Sequence, residues 1–249
     1  MTRHLTILTG SSRGLGLALA EKLLVRGHRV LALARTATTL PVPAGAELHA
    51  WQADLADPVP VAARLAAWLA TQDPATLASA TLINNAGVVV TPAPLSGNDA
   101  AALSSALRVG LEAPLLLTAA FLRATEAWAL PRKVMLISSG LGRRPMAGSA
   151  AYCAAKAGMD HLARAVALEE ADKPNGARIV SLAPGVIDTD MQVQLRNADA
   201  ALFPERARFV GLKEAGQLDS PAQAAAKVLH ALDRADFGSV PVTDVREMA

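Results

Sequence analysis

Short, uninterrupted apolar runs recur along the chain and are separated by longer, more polar segments. Runs of this kind, without alternation, are typical of strands that are buried on both faces. We therefore predict a series of strands separated by helices. The expected strands cover residues 5–9, 29–34, 48–53, 81–84, 133–138, 178–183 and, near the end, 240–244.

The intervening segments carry apolar residues at helical spacing. Leu15, Leu19 and Leu23 lie on one helix face, and Gly27 follows them at a position that suits a helix C-terminal cap. Later helices are expected at 99–127, with a bend near Pro114, at 149–171 and at 221–234. The alternation of strand and helix predicts an α/β fold in three layers, a parallel sheet with helices on both faces.

Residues 188–218 interrupt this alternation. The segment is charged and contains Pro204, Gly211 and Gly216. It lies where a mobile cover over a pocket could be inserted, so we interpret it as a lid. We expect the whole chain, residues 1–249, to form one domain that includes this segment, because 52% apolar content supports a large core at this length.

Composition excludes several classes of protein. The net charge is +2, which gives no broad basic surface for nucleic acid. A single cysteine, Cys153, excludes an intrachain disulfide and a cysteine-based metal cluster, and it fits a reducing, cytoplasmic compartment. The longest apolar stretch, 113–122, is shorter than the ~20 residues that cross a bilayer. We expect no metal site, no membrane segment and no secretory signal.

A glycine-rich turn directly follows the first expected strand and opens the first helix. Missing side chains let a backbone approach a pyrophosphate, and a helix N-terminus offers unpaired N–H groups. The turn therefore predicts a dinucleotide site. Its expected binding residues are Gly10, Ser12, Arg13, Gly14, Leu15 and Gly16.

The same turn also fits a second template. Residues 10–14 match G-x-S-x-G, the strand-to-helix turn that carries the nucleophile of serine hydrolases, here Ser12. Two features argue against a hydrolase. The turn follows the first strand, which leaves no earlier loop for a second oxyanion donor, and the late histidines His161 and His230 lie in expected helices.

Charge at the end of the second strand bears on the choice of dinucleotide. Sites for NAD usually carry an acid there, whereas a 2′-phosphate needs cations. Arg35 stands at that position, and Arg13 lies within the glycine turn. Two guanidinium groups could converge on one phosphate, so we expect NADP(H). The alternative is a pair of solvated surface arginines.

Tyr152 and Lys156 are candidates for proton transfer. Four residues advance a helix by about one turn, so the two side chains lie on one face. A nearby ammonium favours phenolate, and we expect Lys156 to lower the pKa of Tyr152 into a useful range. Such a tyrosine can protonate a carbonyl oxygen. Taken alone, the pair also fits a solvent-exposed helix face.

Together these motifs resemble the short-chain dehydrogenase/reductase family over essentially the whole chain. The resemblance implies a Rossmann-type, doubly wound sheet and an active site of Ser139, Tyr152 and Lys156, with Ser139 binding the substrate oxygen and Lys156 also holding the nicotinamide ribose. Ser139 is preferred to Ser138 because of its spacing from Tyr152. Further cofactor contacts implied by the family motifs are Asp54, Leu55, Asn85, Ala86, Gly87, Pro184, Gly185, Val186, Ile187 and Thr189.

A finer resemblance is to the bacterial sepiapterin reductase and benzil reductase type. It rests on segments such as 112–118, 151–158 and 183–192. It implies reduction of a dicarbonyl compound or a pterin side-chain ketone by NADPH. An acid near the C-terminus can anchor the pterin in sepiapterin reductases; Asp244 is either that acid or an ordinary acid at the end of a strand.

One position departs from the family pattern. Gly110 stands where most members carry an asparagine that completes a proton relay to the lysine. A weak or inactive dinucleotide-binding regulatory module is therefore the alternative to an enzyme. In either case the resemblance implies a homodimer or homotetramer formed through the two long helices near 100–127 and 150–171.

Overall fold

A parallel sheet of seven strands runs through the centre of the molecule. The structure is a computed structural model that describes residues 2–247. The strands are β1 (Arg3–Thr9), β2 (Arg29–Ala34), β3 (Glu47–Gln52), β4 (Leu77–Asn84), β5 (Arg132–Ile137), β6 (Arg178–Ala183) and β7 (Val242–Asp244). Their order is β3-β2-β1-β4-β5-β6-β7, and every neighbouring pair is parallel.

Helices cover both faces of the sheet. They are α1 (Gly14–Val25), α2 (Pro58–Ala70), α3 (Ala100–Leu107), α4 (Ala113–Thr125), α5 (Ala150–Ala171), α6 (Asp190–Arg196), α7 (Arg206–Glu214) and α8 (Pro221–Asp233). One core lies between the sheet and α1 with α8, around Leu19 and Leu229. The other lies beneath α2, α4 and α5, around Leu65 and Phe121. The expected three-layer, doubly wound fold is confirmed.

The chain reverses its direction of winding beside β1. From β1 the chain adds β2 and β3 on one side, and then returns to place β4 on the other side. Loops that leave the carboxyl ends of β1 and β4 therefore diverge and leave a crevice between them. In open parallel sheets, ligands bind at such a point.

The long helix before β5 is interrupted, although not at the expected residue. A bend was expected near Pro114, but the irregular part is a π-helical segment at Arg108–Glu112, between α3 and α4. Proline has no N–H to donate and its ring crowds the carbonyl four residues earlier, which is that of Gly110. A wider turn on the N-terminal side relieves this crowding.

The helical stretch from α3 to α4 has a longer apolar region than the stretch 113–122 that was expected from the sequence. Over Ala100–Thr125 it is long and apolar enough to cross a membrane by length and composition, with a mean hydropathy of 1.4. In this fold it packs on the sheet, where Leu117 and Phe121 are fully buried. Its apolar character follows from its place in a core.

The segment 188–218 contains two short helices rather than a further strand. Helices α6 and α7 carry Leu195 and Phe209, which pack with Phe203 and Met146 in a small separate cluster. Gly148, with φ of 74°, turns the chain between Met146 and α5, and a Cβ there would lie 3.0 Å from the Phe203 ring. This cluster stands beside the crevice.

Candidate active site

A cavity of about 720 Å³ opens at the carboxyl ends of the strands. It contains every site residue expected from the sequence, although these residues come from eight separate parts of the chain. Its lining includes Gly10, Ser12, Arg13, Gly14, Leu15, Gly16, Arg35, Asp54, Leu55, Asn85, Ala86, Gly87, Ser139, Tyr152, Lys156, Pro184, Gly185, Val186, Ile187, Thr189 and Asp244. Gly110 lies outside the lining.

The turn between β1 and α1 can be built only with glycine. Gly10 and Gly14 have φ of 69° and 53°, in the left-handed region that L side chains rarely adopt. A Cβ at Gly16 would overlap the carbonyl oxygen of Gly10. Because these positions lack side chains, the backbone at the start of α1 is open to the cavity and fits the pyrophosphate of a dinucleotide.

Hydrogen bonds from the next strand hold this turn in place. The Asn85 side-chain amide donates to the carbonyls of Thr9 at 3.0 Å and Gly10 at 3.2 Å. The Thr9 hydroxyl accepts from the backbone N–H groups of Asn85 and Ala86 at 2.9 and 3.0 Å. Asn85 was expected only as a cofactor contact, and this supporting role and that of Thr9 become visible only in the folded chain.

A second support was also missed. The buried Ser11 hydroxyl hydrogen-bonds the Thr38 hydroxyl at 2.7 Å and so ties the glycine turn to the loop after β2. Both residues are small and polar, and no spacing in the sequence marks them as partners.

The two arginines expected at a 2′-phosphate differ in their contacts. Arg35 is exposed at the end of β2, and it forms no hydrogen bond or ion pair within residues 2–247. Arg13 pairs with Asp190 of α6 at 2.7 Å, and both side chains are mostly exposed. The guanidinium of Arg35 is therefore free to bind an anion, whereas that of Arg13 is shared with the segment 188–218.

Asp54 and Leu55 lie after β3, on the wall of the cavity beside the glycine turn. The Asp54 carboxylate accepts from the backbone N–H of Ala56 at 3.0 Å, which fixes the start of this loop. Leu55 is 7% exposed and packs into the core. The Asp54 side chain is exposed and lines the cavity.

The opposite wall is the segment that follows β6. Val186 and Ile187 pair with Asp219 through a short parallel bridge, with Asp219 N–H donating to Val186 at 2.9 Å. Gly185 has φ of 85°, which turns the chain across the mouth of the cavity. Thr189 directly precedes α6 and lies next to Gly14. A Cβ added at Gly14 would lie 3.3 Å from the methyl group of Thr189. The two walls of the cavity therefore approach each other closely at Gly14 and Thr189.

The three expected catalytic side chains come together between these walls. Ser139 follows β5, and its hydroxyl hydrogen-bonds Tyr152. Lys156 is 4% exposed, and its ammonium donates to the carbonyl of Ile137 at 2.7 Å. The Lys156 Nζ lies 5.5 Å from the centre of the Tyr152 ring. The four-residue spacing on α5 produces this arrangement.

The effect of Lys156 on Tyr152 differs from the expectation. Burial raises the pKa of Tyr152 to about 12, and the hydrogen bond with Ser139 opposes this rise. Burial likewise lowers the pKa of Lys156 to about 8, while the Asp160 carboxylate opposes that change. The expected lowering of the tyrosine pKa is therefore wrong, because desolvation is the largest cause of the shift and Lys156 is not among its causes. At neutral pH Tyr152 is a protonated acid.

Two charged residues behind the site were missed. Asp160 is 2% exposed and lies one turn after Lys156 on α5. Arg143 follows the turn that carries Ser139, and its Nε lies 3.3 Å from the Asp160 carboxylate. The signal for Asp160 was present in the sequence, since it continues the four-residue series of Tyr152 and Lys156.

Asp244 lines the cavity but already has partners. Its carboxylate accepts from Arg246 at 2.8 and 2.5 Å, and it is 3% exposed. Burial raises the pKa of this carboxyl, but the hydrogen bonds and charge of Arg246 outweigh it and hold the pKa below its usual range. Asp244 is thus an ion-paired residue at the end of β7.

The hydrolase interpretation of the glycine turn finds no support in the cavity. His161 and His230 are exposed on α5 and α8, and no histidine lies among the described residues that line the cavity. Ser12 therefore has no base beside it. A serine nucleophile needs such a base within hydrogen-bond reach.

Comparisons with known proteins agree with this geometry. Residues 4–200 match the model of the short chain dehydrogenase family. The chain is 33% identical to a benzil reductase of Bacillus cereus over 97% of this chain and 98% of that one. It is 34% identical to a sepiapterin reductase of Meriones unguiculatus, covering 94% and 92% of the two chains.

A solved structure shows the same relationship in three dimensions. It is a metagenomic short-chain oxidoreductase in complex with NADP, 30% identical, with a TM-score of 0.70 and coverage of 94% and 93%. The family match, the full-length relatives and the converging side chains agree. The chain belongs to the short-chain dehydrogenase/reductase family and is similar within it to the benzil and sepiapterin reductases.

Proposed function

We propose that this chain reduces a ketone or 1,2-dicarbonyl compound to an alcohol with NADPH. The observation that carries the proposal is the meeting of Ser139, Tyr152 and Lys156 in the cavity that also contains the glycine turn. When bound, NADPH supplies a hydride to the carbonyl carbon. The side chains of the protein supply binding, orientation and the proton.

Each side chain has a distinct role in the proposal. Ser139 donates a hydrogen bond to the substrate oxygen. Tyr152 is protonated at neutral pH and gives its proton to that oxygen as negative charge develops there. Lys156 faces the Tyr152 ring and stabilises the tyrosinate that results. We also assign it to the nicotinamide ribose.

The preference for NADPH rests on the charge at the end of β2. Arg35 is free of protein partners within residues 2–247 and lines the cavity. No carboxylate follows β2 at the position that would bind ribose hydroxyls. A 2′-phosphate at this place would accept a charge-assisted hydrogen bond from the guanidinium.

The substrate end of the cavity supports a carbonyl carried by apolar groups. Met146, Leu195 and Phe209 lie there and belong to the small cluster beside the crevice. The similar proteins are named as a benzil reductase and a sepiapterin reductase. We further propose that residues 188–218 act as a lid over this end.

The test replaces Tyr152 by phenylalanine, which keeps the ring and removes the proton donor. With a 1,2-diketone such as benzil, NADPH oxidation should fall by about 10²- to 10⁴-fold. NADPH binding, followed by cofactor fluorescence, should change little. Undiminished turnover in this variant would contradict the assigned role.

A second candidate function has one observation in its favour. Gly110 replaces the asparagine of the family relay, and a Cβ at this position would lie only 3.0 Å from that of Ala155. The chain could thus be a dinucleotide-binding module with little catalysis. A panel of diketones, aldehydes and pterin ketones separates the two, because a module binds NADPH without oxidising it on any of them.

A further inference from the structure

A buried carboxylate sits directly behind the proposed catalytic groups. Asp160 lies on α5 with Tyr152 and Lys156, at successive steps of four residues, and is 2% exposed. A buried carboxylate is costly unless it is paired and hydrogen-bonded. Its partners therefore indicate what the position does.

The partners of Asp160 come from two strands. One carboxylate oxygen accepts from the hydroxyls of Ser138 at 2.6 Å and Ser181 at 2.7 Å. Ser138 directly follows β5, and Ser181 lies in β6. The carboxylate thus fastens α5 to the carboxyl ends of both strands.

The other oxygen of Asp160, Oδ2, accepts no hydrogen bond within residues 2–247, but it forms an ion pair with the end of the turn that carries Ser139. It lies 3.3 Å from the Nε of Arg143, and a Cβ added at Gly142 would lie 2.7 Å from it. The turn therefore passes close to the carboxylate, with no room for a side chain at Gly142. Ser138 and Arg143 flank Ser139 on its two sides, so one side chain fixes both ends of the turn.

Arg143 extends this connection to the last strand. It donates to the carbonyl of Thr243 at 2.7 Å and lies 4.0 Å from the Asp244 carboxylate. Asp244 is in turn bound by Arg246. A series of side chains with alternating charge, Arg246, Asp244, Arg143 and Asp160, thus extends from the end of β7 to Lys156.

We propose that Asp160 is a positioning residue that holds the Ser139 turn against α5, so that Ser139, Tyr152 and Lys156 meet at the substrate oxygen. The role rests on the proposed function. Arg143 is its partner in this task. Both act through the catalytic groups rather than on the substrate.

An electrostatic consequence separates this role from simple structural support. Lys156 adjoins Tyr152 and Asp160 on α5. Asp160 in turn pairs with Arg143 on the turn after β5, and Arg143 lies near Asp244 on β7. Asp160 opposes the effect of burial on the Lys156 pKa. Without its charge the lysine loses its proton at lower pH.

The test is Asp160→Asn, which keeps an acceptor for the two serines and removes the charge. At pH 8.5, kcat with a diketone should fall about tenfold or more, with a smaller loss at pH 6.5, because the alkaline limb of the pH profile moves to lower pH. The matched control is Glu170→Gln. Glu170 is a 3% exposed acid on the same helix, paired with Arg132 at the far end of β5.

The control should lose stability but keep its kcat and alkaline limb. A second variant, Arg143→Met, retains the Asp160 charge; its kcat should fall about fivefold to tenfold without moving the limb to lower pH. If Asp160→Asn and Glu170→Gln differ only in melting temperature, the positioning role is refuted while the proposed function stands. A wild-type chain that reduces no carbonyl refutes the proposed function and this role together.

Discussion

At the scale of single residues, the site depends on one hydroxyl. Tyr152 is the chain's one tyrosine, so its ionisation can be followed without interference from another phenol. Burial raises its pKa to about 12, well above the usual value near ~10. A tyrosine in this state is protonated at neutral pH, as the proposed role of proton donor requires.

An ultraviolet titration measures this property directly. The tyrosinate absorbance near ~295 nm should appear with a midpoint at about 12, while circular dichroism confirms that the chain is still folded. Tyr152→Phe should lose the signal completely and serves as the control. A midpoint at or below 10 would show instead that Lys156 dominates the environment of the phenol.

The proposed preference for NADPH also depends on a single side chain. Arg35→Ala should raise the KM for NADPH about 10- to 100-fold, as expected for the loss of a charge-assisted hydrogen bond, and change the KM for NADH less than about threefold. Arg26→Ala is the matched control. Arg26 is an exposed arginine on α1 that pairs with Asp233, away from the cavity. Equal losses for both cofactors would contradict a 2′-phosphate contact.

Motifs made the cavity lining predictable at this scale, whereas its supports were not. Some positions can be recognised in the sequence because their expected chemistry requires particular residue types, as at Gly10, Arg35, Ser139 and Lys156. Thr9, Ser11 and Thr38 act through contacts that only the folded chain creates. The pKa of Tyr152 was mispredicted for the same reason, since burial cannot be measured from spacing.

At the scale of elements, the π-helical segment and α5 approach each other closely. Gly110 faces Ala155, and Gly158 faces Leu111, where a Cβ would lie 2.8 Å from a leucine methyl group. Small residues on both helices let them cross at short distance. The family asparagine therefore cannot be introduced without moving one of them.

This crossing predicts a paired substitution. Gly110→Asn alone should destabilise the chain by about 1–3 kcal/mol through overpacking. Adding Ala155→Gly should restore most of that loss, as measured by urea unfolding, with Ala155→Gly alone as the control. Only the double variant tests the effect of an asparagine at position 110 on the proton relay without a loss of stability. A single variant as stable as the wild type would contradict the close packing.

Element types were predictable from the sequence, and their ends less so. The first half of β4, Leu77–Ala80, was missed because alanine and serine weaken its apolar signal. The interruption at Arg108–Glu112 was placed one turn too late, since the effect of a proline appears at the carbonyl four residues before it.

At the scale of the whole molecule, the layer formed by α3, α4 and α5 leaves apolar side chains uncovered. Leu115 and Leu168 are 44% and 77% exposed. We propose that this face pairs two copies of the chain. Light scattering after gel filtration should give at least twice the 25.7 kDa of one chain.

Charge placed on that face should separate the copies. The double variant Leu115→Glu with Leu168→Glu should elute as a monomer, because two buried, unpaired carboxylates would oppose association. Val25→Glu is the control, since Val25 is 77% exposed on α1, across the sheet. An unchanged mass in the double variant would place the interface elsewhere.

Stability should also depend on pH through one histidine below the sheet. Burial lowers the pKa of His28 from 6.5 to about 4, helped by the positive charge of His4 when protonated and of Arg26. The unfolded chain therefore binds a proton more readily between these values, so stability is full above pH 6.5 and falls as the pH drops toward 4.

Melting curves at pH 7 and pH 5 test this effect. The wild type should lose about 1–2 kcal/mol from this group after allowance for solvent screening, and His28→Gln should lose less on acidification. His230→Gln, which alters an exposed histidine on α8, should keep the wild-type dependence. Identical slopes for all three proteins would exclude His28 as the cause.

The glycine turn has a practical consequence for redesign. Its backbone path is dictated by Gly10, Gly14 and Gly16, while the exposed guanidiniums at positions 13 and 35 take no part in that path. A combinatorial library aimed at a cheaper coenzyme should therefore diversify these two positions and leave the glycines untouched. Selectivity and foldability are separate problems in this protein, and an engineer can work on one without endangering the other.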